Sequence, residues 1–508
     1  MKKNNIKIDV IISYLSLIIS IFITFFLTKY QLKYLGKEQF GIFNLIASVI
    51  GYINILDLGI GQTVIRYVSL YKTQNDIESI ERLYGYSFKN YIKVSLIGIA
   101  VGVLIYLNSS SIFPNLSSNE MYLFKVCFLI SLINVVLQIS GAAFNAILSG
   151  YSKFKFIRLT NLLKNAFRAL LIILLLKMGF NIISIFVIDL ILNQALNLIN
   201  FFYIKNKLKL KLKFHNLEKK LKKELSSYSF FVFLGIITDQ IFWRTDNIIL
   251  GIMSTTAVVG VYSISSQLVN QYLTICATFS SVFLPAITEM TTLKDSKEKL
   301  NKFFINASRY QFIIVLIILI NYIFLGKEFI TLWIGSEYID VYYLGLIIFS
   351  SLTVPMFQTT GYQILYAMKK HKVRSILYVF NAVINIIMSI VFFKYYGTYG
   401  PALATALAMF IGNTVLINIY YKKVLGLKLL NFFNEVCSKT LAAGIFVIGA
   451  FLILNKFMVN ITWIDFLTKA TLANTLFLIL IFFIVLTKEE KNRVSMLVKV
   501  VIKKYNRR

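Results

Sequence analysis

Between residues 239 and 247 the chain gathers Asp239, Gln240, Trp243, Arg244, Thr245, Asp246 and Asn247 inside a stretch that is otherwise apolar. At about 100° per residue, Gln240, Arg244 and Asn247 share one stripe of a helix, and Asp239, Trp243 and Asp246 the adjoining one. Both aspartates lie far round the helix from Arg244, so no ion pair closes within the segment. The guanidinium must find its partner on another helix, in water or in a bound ligand. Two kinds of chemistry are on offer: an arginine that holds an anion, and carboxylates that hold a coupling cation. An interhelical salt bridge with a purely structural role is the alternative. Asp57 and Asp189 sit in other apolar stretches; Asp57 lies in Leu56-Asp57-Leu58-Gly59-Ile60-Gly61, where glycines also permit close packing or a bend.

Longer polar stripes flank this cluster in the sequence. Ser13, Ser16, Ser20, Thr24 and Thr28 advance by three or four residues, as do Ser263, Gln267, Asn270, Thr274, Thr278 and Ser281, while Asn44, Ser48, Gly51 and Gln62 form a sparser row. Small hydroxyl residues let helices pack closely. Long amides such as Gln267 and Asn270 are costly to bury unsatisfied, which points to a wet cavity. His215 and His371 fall in polar connections, so no intramembrane histidine relay is expected. Cys127, Cys276 and Cys437 are too scattered for a disulfide framework or a metal site, and no cofactor is expected.

The elements that must carry these residues are membrane helices. The 508 residues are 58% hydrophobic and 15% charged, and runs of about 20 apolar residues follow one another with little polar sequence between them. Fourteen segments are predicted, beginning near 8–28, 41–63 and 91–107, continuing through 157–178, 182–204 and 229–250, and ending near 464–486. The first follows the basic Met1–Lys7 and is too long for a signal peptide. With a cytoplasmic N-terminus, most of the 53 lysines and arginines fall in loops on one side, among them Lys164 and Arg168, while Lys29, Lys33 and Lys37 lie outside. Positive charge resists translocation, so both termini are expected in the cytoplasm of a bacterial inner membrane. The net charge of +31 then reflects orientation and contact with anionic lipids rather than nucleic acid.

The spans of helices 1–6 recur at helices 7–12, about 220 residues later. Gly41 and Phe43 answer to Gly260 and Tyr262, Asn161 and Asn165 to Asn381 and Asn385, and Asn193 to Asn413. Six is even, so the repeats enter from the same side and are parallel, a transporter pattern with a central site. The expected fold is therefore all-α and integral to the membrane. It comprises a six-helix bundle over 1–204, a basic linker 205–228, a second six-helix bundle over 229–421, helices 13 and 14 over 437–486, and a basic tail 487–508.

Leu35-Gly36-Lys37-Glu38-Gln39-Phe40-Gly41-Ile42-Phe43, with Leu56 to Gly61 and Arg66-Tyr67-Val68, resembles the N-terminal signature of Wzx-type polysaccharide flippases. Asp246 to Gly251, Val259 to Ser263, and Tyr396 to Thr405 resemble later motifs of that family, which belongs to the MOP superfamily with the MATE drug exporters and lipid II flippases. The resemblance implies alternating access without bond chemistry, hence no enzyme. It implies a lipid-linked, undecaprenyl-pyrophosphate oligosaccharide passed to the outer leaflet for capsule, O-antigen or a similar polymer. Polymerases and glycosyltransferases would be its partners. It further implies a cationic cavity lined by helices 1, 2, 7 and 8, with Arg244, Arg66, Lys29, Gln240, Asn247, Gln267 and Asn270 as substrate contacts. Asp239, Asp246 and Asp57 are the candidate coupling sites. Few cations are expected at membrane depth. Three alternatives stand beside this reading: a cation-coupled multidrug exporter, a lipid II flippase, and a membrane polymerase or glycosyltransferase, for which the short outer loops offer little catalytic chemistry.

Overall fold

Gly36 sets the shape of the first helix. In the computed structural model, which describes residues 3–55, 60–214, 237–238, 240–281, 283–291, 295–368, 370–492 and 495–496, α1 runs Lys3–Asn54. It changes direction at Gly36, whose φ of 73° is a conformation that favours glycine. The separate helices expected near 8–28 and 41–63 are thus one kinked element, and Lys29, Lys33 and Lys37 are helical rather than in a loop. The physical reason is composition: Lys, Gln, Leu and Tyr between the two apolar runs are compatible with helix, and only Gly36 interrupts it.

Further along come α2 (Ile60–Thr73), α3 (Ile77–Ile112), α4 (Ser118–Gly150), α5 (Phe154–Lys177) and α6 (Ile182–Tyr203). After the residues of α7 (240–253) follow α8 (Thr256–Ser281), α9 (Leu284–Met290), α10 (Ser296–Trp333), α11 (Asp340–Phe357), α12 (Thr359–Ala367), α13 (His371–Tyr396), α14 (Tyr399–Met409), α15 (Ile417–Leu425), α16 (Leu429–Phe457) and α17 (Trp463–Leu480). Among the described residues every regular element is a helix, and eleven are long and apolar enough to cross a membrane. The difference from fourteen has three sources. The first two predicted spans are merged in α1, the start of the seventh lies outside the described residues, and the Ser, Gln, Asn and Thr stripe of α8 lowers its mean hydropathy. At 26 residues α8 is about 39 Å long, enough to span the bilayer core.

Two compact units divide the chain: Met1–Ile264 with Tyr396–Thr398, and Ser265–Tyr395 with Tyr399–Arg508. In the first, α3 packs along α4, and Ser117 and Glu120 cap the start of α4 reciprocally. On α5, Leu163, Phe167, Leu170 and Leu174 make one exposed apolar stripe, the face a bilayer favours. The beginning of the basic linker is docked on α3. Glu81 accepts the Lys211 backbone N–H at 2.9 Å and pairs with the Lys213 ammonium at 2.9 Å, a hydrogen bond that pushes the lysine above its ordinary pKa. The chain passes so close to Gly85 that a Cβ there would lie 2.1 Å from the Lys213 carbonyl oxygen.

The second unit is built round α10. Lys469 of α17, only 1% exposed, pairs with Glu328 at 2.7 Å, and Asn321 Nδ2 donates to Asn474 Oδ1 at 2.7 Å. Helix α17 is therefore fixed to α10 by polar pairs as well as by packing, and α16 packs along both. Beyond α17, Glu490 pairs with Arg309 and accepts from the Tyr310 hydroxyl, holding the end of the described chain against α10.

Candidate functional site

Arg244 lies in the middle of α7 with its side chain exposed, although the residues that follow it, Thr245, Asp246 and Asn247, are buried. Its stem runs over Gly51 of α1. A Cβ at Gly51 would sit 3.7 Å from Arg244 Cγ and Nε and 3.1 Å from Gln240 Oε1, so a methyl would fit with a small shift of Gln240 while a larger side chain would take the space of both residues. Among the described residues no carboxylate forms an ion pair with Arg244. Gln240 Oε1 is buried beside it without a hydrogen-bond partner among them.

A buried network fixes the other face of α7. Asn247 Nδ2 donates to Ser48 Oγ of α1 at 3.1 Å, and Ser263 Oγ of α8 donates to Asn247 Oδ1 at 3.2 Å. Asp246 accepts from the Tyr262 hydroxyl at 2.5 Å, while Tyr52 and Thr245 share a hydrogen bond. Each link crosses between helices, so rotation of α7 is opposed from both sides and the orientation of Arg244 is inherited from groups that never touch it. Where α1 meets α8 the crossing is backbone on backbone. A Cβ at Gly41 would lie 1.7 Å from the Thr256 carbonyl oxygen and one at Gly260 2.6 Å from that of Lys37. These are the two glycines the internal repeat equates.

Of the residues singled out in the sequence, Gln240, Arg244, Asp246 and Asn247 are thus brought together with Ser48, Gly51 and Ser263. Asn270 is exposed on α8 with Thr274, an outward polar face that hydrocarbon disfavours, while its Nδ2 bonds the Ser266 carbonyl at 2.9 Å. Gln267 is half-buried on the same helix, and Ser265, one residue into the second unit, is buried. Arg66 is exposed on α2, its guanidinium 5.8 Å from the Tyr67 ring centre, and Lys29 is exposed on the first arm of α1. Asp57 and Asp239 lie outside the described residues. The hydroxyls of Thr24 and Thr28 bond the carbonyls of Ser20 and Thr24 within their own helix, and Thr28 is buried, so that part of the first stripe serves close packing.

Sequence reasoning missed a second charged cluster. Lys164 and Arg168, counted with the cytoplasmic charge although the predicted segment 157–178 encloses them, stand inside α5, Arg168 about 21 Å from the helix start. Arg168 pairs in bidentate fashion with Asp189 of α6, its Nη2 2.8 Å from Oδ2, and Lys164 Nζ donates to Asn193 Oδ1 at 3.0 Å. Gln194 Nε2 reaches Asn134 Oδ1 of α4 at 3.2 Å, and Asn197 Nδ2 reaches Gln194 Oε1 at 3.0 Å. The expectation of few cations at membrane depth is corrected here. The loop assignment rested on charge alone, whereas apolar residues on the far side of α5 keep the helix in lipid. The i, i+4 spacing of the two cations, facing Asp189 and Asn193 at the same spacing, was the available signal.

The profile of the family described as polysaccharide biosynthesis protein matches residues 6–291, more than half of the chain. The chain belongs to that family. An uncharacterized membrane protein, EpsK of Bacillus subtilis (strain 168), is 21% identical over 471 residues, 91% of this chain and 92% of that one. In three dimensions this polysaccharide biosynthesis protein is similar to a lipid II flippase, MurJ, in an inward closed conformation, with a TM-score of 0.72 at 20% identity over 92% of this chain and 97% of that one. It is also similar to an inward-facing multidrug resistance MATE transporter of the MOP superfamily, with a TM-score of 0.65 at 16% identity over 80% and 94% of the two chains. The resemblance to a polysaccharide-export family read from Leu35 to Phe43 and the later motifs agrees with the polysaccharide biosynthesis profile, and the similar structures bear out an all-α multi-pass membrane fold. The two similar structures are those of a flippase and a multidrug transporter.

Proposed function

We propose that the chain carries an undecaprenyl-pyrophosphate-linked oligosaccharide repeat unit from the cytoplasmic to the outer leaflet, for capsule, O-antigen or a related polymer. The observation that carries this reading is Arg244: an exposed guanidinium at membrane depth, lying over Gly51 beside a polar network, with no carboxylate partner among the described residues. A guanidinium presents paired N–H donors that match two phosphate oxygens at once. Gln240 and Asn247 adjoin it on α7; Gln267 and Asn270 of α8, Arg66 at the cytoplasmic mouth and Lys29 would complete the contacts to a long head group. Asp246, Asp239 and Asp57 are the proposed coupling carboxylates. In this reading both termini face the cytoplasm of the inner membrane, residues 1–204 and 229–421 are the two bundles of an alternating-access cycle, and polymerases and glycosyltransferases act before and after it.

The test is a deletion strain complemented with wild type, Arg244→Ala or Arg244→Lys, scored for surface polymer, for the protein's level in the membrane and for sensitivity to cationic drugs. Wild type restores polymer, Arg244→Ala does not at equal protein level, and Arg244→Lys restores it in part because charge is kept without the paired geometry. Full polymer with Arg244→Ala refutes the assignment. Normal polymer with drug sensitivity in the deletion strain favours an exporter.

A further inference from the structure

The second unit holds an arginine in an arrangement the proposed transport path does not use. Arg374, the fourth residue of α13, lies over the ring of Tyr362 of α12, with its guanidinium carbon 4.0 Å from the ring centre. The rings of Tyr366 and Tyr378 flank it at 5.9 Å each. Its Nη1 donates to the Tyr366 hydroxyl at 3.4 Å. The titratable groups in its electrostatic range are the tyrosines 362, 366, 378 and 421, and among the described residues no carboxylate is one of them. Tyr421 is fully buried and its hydroxyl has no partner among those residues.

A cation–π contact with a ring face satisfies the charge only in part and leaves most of the guanidinium N–H groups without an acceptor. Among the described residues the five donors of Arg374 meet one neutral hydroxyl, which leaves both charge and donors uncompensated, and aromatic contact holds the group in place. The position is about one turn from the start of α13, beside Lys369, Lys370 and Lys372 in sequence and tied to α15 by the bond from the Tyr420 hydroxyl to the Lys370 carbonyl at 3.0 Å. It is also the second residue of the apolar span Val373–Tyr396, at an end rich in lysine, where a membrane helix meets the head-group region.

We propose that Arg374, on its platform of Tyr362, Tyr366 and Tyr378, is a binding site for the phosphate group of a membrane lipid. The phosphate belongs either to an anionic phospholipid or to the diphosphate of a lipid-linked cargo. The site does not depend on the transport reading, since a phospholipid would use it whatever the chain carries.

The experiment uses the full chain in dodecyl maltoside, a phosphate-free background, titrated with phosphatidylglycerol in one arm and undecaprenyl diphosphate in the other, with bound lipid counted by native mass spectrometry. Wild type, Arg374→Gln, Arg374→Lys, Tyr362→Leu and the control Lys423→Gln are compared. In at least one arm Arg374→Gln weakens binding about 10- to 100-fold, Arg374→Lys and Tyr362→Leu less, and Lys423→Gln less than about twofold. Response to phosphatidylglycerol alone assigns the site to phospholipid, and response to undecaprenyl diphosphate assigns it to cargo. Equal losses for Arg374→Gln and Lys423→Gln mean diffuse charge attraction and overturn the proposal, as does unaltered binding in both arms. Melting temperatures without lipid show which variants fold. Should Arg374→Gln not fold, Tyr362→Leu and Arg374→Lys carry the test by the same criterion.

Discussion

Replacing Arg168 by Gln removes one partner of the pair between α5 and α6 and leaves Asp189 charged at membrane depth. Breaking a fully buried pair in this way costs about 3–5 kcal/mol, and an exposed pair about 0.2–1 kcal/mol. The two side chains are 23% and 20% exposed, which puts the expected loss between those ranges, at about 2 kcal/mol. For a unit of this size that lowers the melting temperature by roughly 5 °C. Asp189→Asn alone strands the arginine beside Lys164 and should cost as much or more. The double variant Arg168→Gln with Asp189→Asn removes both charges and leaves two amides able to bond each other, so its loss should be under about 1 kcal/mol. A thermal melt of the four proteins in detergent closes the cycle, with a coupling of about 2 kcal/mol or more expected. Additive losses would refute the reasoning, because they would mean that solvent or lipid head groups already compensate each charge separately.

Gly51→Ala should be close to neutral, since its new carbon meets only the flexible end of Gln240 at 3.1 Å, whereas Gly51→Leu must displace the Arg244 stem at 3.7 Å. The leucine variant is expected to cost about 1–3 kcal/mol and to lose surface polymer as Arg244→Ala does, and equal polymer from both Gly51 variants would contradict the placement of that side chain. Glu81→Gln should free the docked linker, seen as faster tryptic cleavage between Lys205 and Lys213, by roughly an order of magnitude if closing is fast relative to cutting. Burial would raise the Glu490 carboxyl, but hydrogen bonds from Tyr310 and the Thr487 N–H, together with Arg309, outweigh it and hold it below its ordinary value of 4.5. A depressed carboxylate contributes stability above its unfolded value and loses it as pH falls through the folded one. Hydrogen exchange over 487–492 should therefore stay protected from pH 7 to about 5 and rise below about 4. Glu490→Gln should already exchange faster at pH 7; unchanged protection would show that the carboxylate is not what holds the segment.

Hydropathy revealed most of the membrane helices, because the periodic demand of lipid is written on every turn of α3 to α6 and α10 to α17. It hid their true lengths. α3 begins at Ile77, well before the predicted 91, since a helix leaving the bilayer keeps its hydrogen bonds while its residues turn polar. The polar face of α7 was legible from spacing alone, whereas spacing did not show that Ser48 and Gly51 of the sparser row meet it. The direction of each partner was not: that Asn247 bridges Ser48 and Ser263, or that Asp246 is taken by Tyr262, depends on how three helices cross. Lys164 and Arg168 were misplaced because a charge in a sequence looks the same in a loop and in a helix whose other face is apolar. The asparagines equated by the repeat also differ in use. Asn381 and Asn385 are fully buried whereas Asn161 and Asn165 are half-buried, and Asn193 accepts from Lys164 whereas Asn413 donates to the Met409 sulfur.

The glycines of this chain are equal in the sequence and very unequal in what they permit. At Gly449 an added carbon meets nothing within 4 Å, and libraries of variants should pass freely through it. At Gly41 and Gly260 the obstacle is the backbone of the opposing helix, which no rotamer change can move aside and no trimming of a neighbour can relieve. A second-site suppressor of either substitution therefore cannot be a smaller side chain nearby. It has to be a change that lets a whole helix shift, and a suppressor screen seeded at these two glycines would report where in the chain such movement is allowed.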